Sequence, residues 1–106
     1  MDAKEILIRT RELIANPHAW GKYARRNAKG QYCVLGAIEK AQGTPRVGYE
    51  MHMLLRDSIA TLFPARHSRY NVGDSVAHFN DHDLTSHRDV MLVLDDAIAR
   101  LEEREG

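Results

Sequence analysis

This chain has a single cysteine, a single tryptophan and three prolines in 106 residues. One thiol excludes an internal disulfide, so packing alone must hold the fold, and it suits a reducing compartment. No apolar run approaches the ~20 residues a membrane helix needs, so no membrane partner is expected. Excess charge is lacking as well. Fifteen Lys and Arg balance fifteen Asp and Glu, which removes the general attraction to nucleic acid or anionic lipid that a basic domain carries. The opening Met1-Asp2-Ala3-Lys4-Glu5 lacks the basic start and apolar stretch of a secretory leader. A cytoplasmic location follows as the expectation. No strand-like alternation, repeat, low-complexity tract or interdomain linker stands out, so residues 1–106 are expected to form one domain.

Helical periodicity is what is there. Residues 3–15 place Ile6, Leu13 and Ile14 on one stripe, with Asp2 as cap and Asn16-Pro17 as stop. His18 to Asn27 reads as a short second helix with Trp20 inward. After the turn at Ala28-Lys29-Gly30, residues 31–42 read as a third helix whose Cys33, Ala37 and Ala41 share a face. Glycine inside a helix costs about 1 kcal/mol relative to alanine, so Gly36 needs a packing reason. Residues 48–63 are expected to be helical up to Pro64, and 65–73 a polar loop. Asp74 or Ser75 can cap a short helix through Phe79, with 80–84 irregular. Ser86 and Asp89 resemble a capping box opening a last helix over 86–104. The result is an all-α, compact bundle of five to six helices. Trp20, Cys33, Leu35, Ala37, Ile38, Leu54, Leu55, Ile59, Phe79, Val90, Leu94 and Ile98 are its expected core.

Two stretches carry chemistry. Gly30-Gln31-Tyr32-Cys33-Val34-Leu35-Gly36-Ala37 puts the thiol in the first turn of a helix, where the helix dipole favours thiolate. His78-Phe79-Asn80-Asp81-His82-Asp83-Leu84-Thr85-Ser86-His87 holds three of the six histidines. His78 as base, oriented by Asn80 or Asp81, would complete a nucleophilic site with Cys33. Against that, free cysteine is among the most buried residue types, and Asn and Asp commonly cap helices and bond nearby backbone. A buried polar bridge from Asn80-Asp81 to Trp20 or to the Gly30 turn would serve the same end. His78, His82 and Asp83, with His87 and Asp81 near, are able to bind a divalent ion, but their spacing matches no zinc-finger pattern. Neither a metal nor another cofactor is expected.

Lys22, Arg25, Arg26 and Lys29 lie near Tyr23 and Tyr32, and Arg66, His67, Arg69 and Tyr70 form a second basic run. Such patches suit phosphates and bases, yet the neutral chain and the solvated face of a short helix explain them, and nucleic acid is not an expected partner. Asp95, Asp96, Glu102, Glu103 and Glu105 give the end of the chain the opposite sign.

The His82-Asp83 pair resembles that of the HD-domain phosphohydrolases. These are helical metalloenzymes, and the resemblance implies metal ligation by His52, His82, Asp83 and Asp95 or Asp96. A broader resemblance covers residues 5–100. Trp20, Tyr23-Ala24, Gly30-x-Tyr32-Cys33-x-Leu35-Gly36-Ala37, Phe79-Asn80-Asp81 and a final helix with Val90, Leu94 and Asp96-Ala97-Ile98 look like a family of small uncharacterised bacterial and phage-associated proteins. Phe79 stands where tryptophan is common in that pattern. The resemblance implies a shared fold and no activity. The expected function is a non-enzymatic interaction or regulatory module that binds a protein partner or itself. The alternatives are a hydrolase using Cys33 with His78, and an HD-like phosphohydrolase using His52, His82, Asp83 and Asp96.

Overall fold

In the computed structural model, which describes residues 1–67 and 72–105, the chain forms five α-helices and no strand among the described residues. Helix α1 (Ala3–Leu13) begins where Asp2 Oδ1 accepts the Glu5 N–H at 2.9 Å, satisfying one of the free donors of a helix start. Thr10 is buried on its inner face, its hydroxyl donating to the Ile6 carbonyl at 2.7 Å. The helix stops short of the expected residue 15. Ile14 caps it, and Asn16 accepts from the His18 N–H to open a 3-10 turn at Pro17–Ala19.

Helix α2 (Val34–Gln42) starts three residues later than expected and closes at Gly43, whose φ of 80° only glycine adopts without strain. Helix α3 (Tyr49–Leu62) ends before Pro64, which opens a second 3-10 turn, Pro64–Arg66. Helix α4 (Val72–Asp81) runs longer than expected at both ends and includes Asn80 and Asp81. The loop expected over 65–73, with its basic run, lies partly outside the described residues. Helix α5 (His87–Glu105) opens on the reciprocal pair the sequence suggested. The Asp89 N–H donates to Ser86 Oγ at 3.3 Å, and the Ser86 N–H to Asp89 Oδ2 at 3.1 Å.

Helices α1 and α5 run antiparallel, joined by Lys4–Glu105 and Arg11–Asp95 ion pairs. Helix α1 also packs on α2, α3 packs on both α4 and α5, and α2 touches α4. Leu7, Ile14, Leu35, Ile38, Leu55, Ile59, Val76, Phe79, Val90, Leu94 and Ala97 fill the centre. The Cα radius of gyration, 12.5 Å, matches the roughly 13 Å of a folded 100-residue domain. Two of the expected core residues, Trp20 and Ile98, are only half-buried at its edge.

The expected helix over His18–Asn27 is absent. Beyond the Pro17–Ala19 turn, residues 20–33 form an irregular arm that doubles back on itself. The Gly21 N–H donates to the Tyr32 carbonyl, and the Tyr32 N–H to that of Ala19. Asn27 Oδ1 accepts from the N–H groups of Lys29 and Gln31, closing the tip at Gly30 (φ 78°). Tyr23 also takes a positive φ, 73°, which costs a non-glycine residue about 1–3 kcal/mol. Helical periodicity cannot report such an arm, because its geometry is set by partners far along the chain.

Candidate functional site

Those partners lie at the C-terminal end of α4. Asn80, 1% exposed, uses both ends of its amide. Its Oδ1 accepts from Trp20 Nε1 at 2.8 Å and from the Val34 N–H at 3.0 Å. Its Nδ2 donates to the Gly21 carbonyl at 3.1 Å and to Asp81 Oδ1 at 3.0 Å. An asparagine amide offers two acceptor positions and two donors, so every one is used. Asp81 Oδ1 also accepts the N–H of the strained Tyr23 at 2.9 Å. Lys22 Nζ donates to the His82 carbonyl at 2.6 Å, near the Trp20 ring. Residues 20–23 of the arm are thus latched in succession to the last turn of α4 and to His82 just past it, and Asn80 also holds the first N–H of α2.

Cys33 is the N-cap of α2 rather than a residue of its first turn. Its Sγ accepts the Gly36 N–H at 3.3 Å. Burial pushes the thiol above its ordinary pKa, more than the Gly36 N–H and the Arg25 charge pull it down. A cavity of about 100 Å³ beside it is walled by Tyr23, Ala24, Arg25, Leu35, Ala77 and Asp81; no imidazole is among these. His78 instead stands exposed on a separate hollow of about 540 Å³, with Asp74, Asp81, His82 and Asp83. The two spaces meet only at Ala77 and Asp81. The structure therefore brings Cys33 near Asp81 but offers no His78 base over the sulfur.

His82 and His87 are occupied locally. His82 Nδ1 accepts the Leu84 N–H at 3.1 Å, while its ring meets that of His78 edge-on. His87 Nε2 lies 2.7 Å from the Ile14 carbonyl, which fixes the proton on that nitrogen, and the ring packs beside Trp20. Among the described residues no three His, Cys, Asp or Glu side chains gather as a metal would require. Neither His78, His82 and Asp83 nor His52, His82, Asp83 and Asp96 form a ligand set. His52, on α3, has its pKa lowered by burial and by Arg25. Asp96 pairs with Arg100 at 2.7 Å, and Asp95 with Arg11.

Sequence reasoning missed two features and left the neighbour of Gly36 unidentified. Gly36 lies against the backbone of the arm. A Cβ there would sit 2.6 Å from the Arg25 carbonyl carbon and closer still to its oxygen, so no side chain fits. Arg25, Arg26 and Lys40 rim a third hollow of about 400 Å³ over Tyr32 and Pro45. Arg25 is held by Glu39 at 2.7 Å, and Arg26 lies over the Tyr32 ring. Tyr23 and Leu84, 75% and 74% exposed, flank the latch. The run Lys22-Tyr23-Ala24-Arg25-Arg26 was the available signal for this face, but its reading as the solvated side of a helix hid it.

No curated protein and no solved structure matches the chain. The model of a family of unknown function, DUF6197, matches residues 1–100, and the chain belongs to that family.

Proposed function

We propose that the protein is a non-enzymatic binding module for a protein partner or for a second copy of itself. The observation that carries this reading is the complete use of Asn80. All four bonding positions of the amide hold the arm, α2 and Asp81, leaving none to orient a catalytic base. Cys33 is likewise spent on a helix cap. What this construction presents outward is Tyr23, held by Asp81 in a conformation tyrosine does not favour. A rigid, exposed aromatic side chain is the type of group that anchors interfaces. A lone buried thiol supports a cytoplasmic setting. No helix is long and apolar enough to cross a membrane.

Photo-crosslinking from a benzoylphenylalanine placed at Tyr23, in the cell that makes the protein, tests this. Discrete protein adducts are expected, absent when the same probe replaces Glu103 and reproduced with the purified partner or purified chain. No adduct from position 23 contradicts the reading.

A further inference from the structure

Three hollows adjoin one another in a row through shared wall residues and make an interrupted groove. The basic hollow shares Arg25 with the small cavity beside Cys33, and that cavity shares Ala77 and Asp81 with the acidic hollow. The groove is therefore polarised along its length. One end carries Arg26 and Lys40, neither with a carboxylate partner among the described residues. The other end carries Asp74 and Asp83, both exposed and without an ion-pair partner among the described residues. Exposed Tyr23 stands at the middle.

We propose that a second copy of this chain docks on the groove in a two-fold symmetric dimer. A two-fold axis crossing the groove at Tyr23 lays each basic end on the partner's acidic end. The same contact then forms twice, and both tyrosines are buried at the centre. The chain as a whole is neutral, so no net repulsion opposes the approach of two copies. The separation of charge along the groove supplies register, because a parallel arrangement would set like charges face to face. This inference rests on the binding-module reading and names its partner.

Sedimentation equilibrium of the full purified chain, from micromolar to near-millimolar concentration, tests it. The wild type is expected to dimerise, and more weakly as salt is raised. Arg26→Glu with Lys40→Glu, or Asp74→Lys with Asp83→Lys, should each raise the dimer Kd by about tenfold or more. An equimolar mixture of the two variants should return to near wild-type affinity, since every reversed charge then meets its opposite. Single substitutions Lys40→Glu and Asp83→Lys give the same readout if a double variant does not fold, as judged by circular dichroism. A chain that stays monomeric, a dimer indifferent to these charges, or a mixture without rescue overturns the inference. Crosslinking from position 23 to a different protein would overturn the dimer while leaving the binding-module reading standing; silence at position 23 would remove both.

Discussion

Trp20 Nε1 donates to Asn80 Oδ1 at 2.8 Å across sixty positions of sequence. The same oxygen holds the first N–H of α2, so one buried amide sets where the irregular arm lies and where the next helix begins. Asn80→Ala strands the Trp20 and Val34 donors and the Gly21 carbonyl. Each buried group left unpaired costs about 1–3 kcal/mol, though water entering the site recovers part. A loss of about 3 kcal/mol in urea unfolding is expected. Trp20 is the only tryptophan, so its emission should shift red in the variant before global unfolding.

Gly36→Ala separates two opposing effects. Helix propensity alone predicts a gain of about 1 kcal/mol. The added Cβ would collide with the Arg25 carbonyl, and backbone cannot swing away as a side-chain tip can. Overpacking of this kind costs about 1–3 kcal/mol, so a net loss is expected in chemical denaturation. A stabilised Gly36→Ala protein would show that the arm does not lie on α2.

Arg66 joins the 3-10 turn after α3 to the start of α5. Its guanidinium lies over the Phe63 ring, and it pairs with Asp89 at 2.8 Å and with Thr85 at 3.1 Å. Burial pushes the Asp89 carboxyl up, but the bonds from Arg66 and Ser86 outweigh it, and the net pKa lies below the ordinary value. A carboxyl lowered on folding stabilises the protein above its unfolded pKa and loses that contribution as pH falls through the folded one. The urea midpoint should therefore decline below about pH 4. Asp89→Asn should make that decline shallower without abolishing it, because Asp96, lowered by Arg100 against its own burial, acts in the same direction.

Cys33 should behave as an inert thiol. It is 6% exposed, and its raised pKa keeps thiolate scarce at neutral pH. Alkylation by iodoacetamide in the folded protein should run at least about tenfold slower than in urea, since the thiolate is the reactive form. Fast alkylation without unfolding would reopen the nucleophile reading.

The sequence made plain whatever depends on neighbours within a helical turn or two. The stripe of α5, the Asp2 cap and the Ser86–Asp89 pair all match the structure. The arm did not show itself, because residues 20–27 carry helix-compatible side chains and their actual conformation depends on Asn80 and Asp81. Those two residues were expected in a turn for their local bonding habits. They sit instead in the last turn of α4 and bond to chain some sixty residues away. Gly36 announced a close approach without saying what approached, since a glycine reveals missing volume but not its neighbour. The Trp20 to Asn80-Asp81 bridge was readable as chemistry, an indole donor and a buried amide, although the position of Cys33 relative to His78 was not.

The claim beneath the account is that Asn80 is a structural latch on Trp20. A double-mutant cycle with Trp20→Phe and Asn80→Ala, read by circular dichroism in urea, measures that link directly. Phenylalanine removes the donor and also trims the ring, and that packing loss enters the single and the double variant alike, so the cycle cancels it. A coupling of about 1 kcal/mol or more between the two sites is predicted, as for residues in one hydrogen-bond network. Strictly additive losses would contradict the latch.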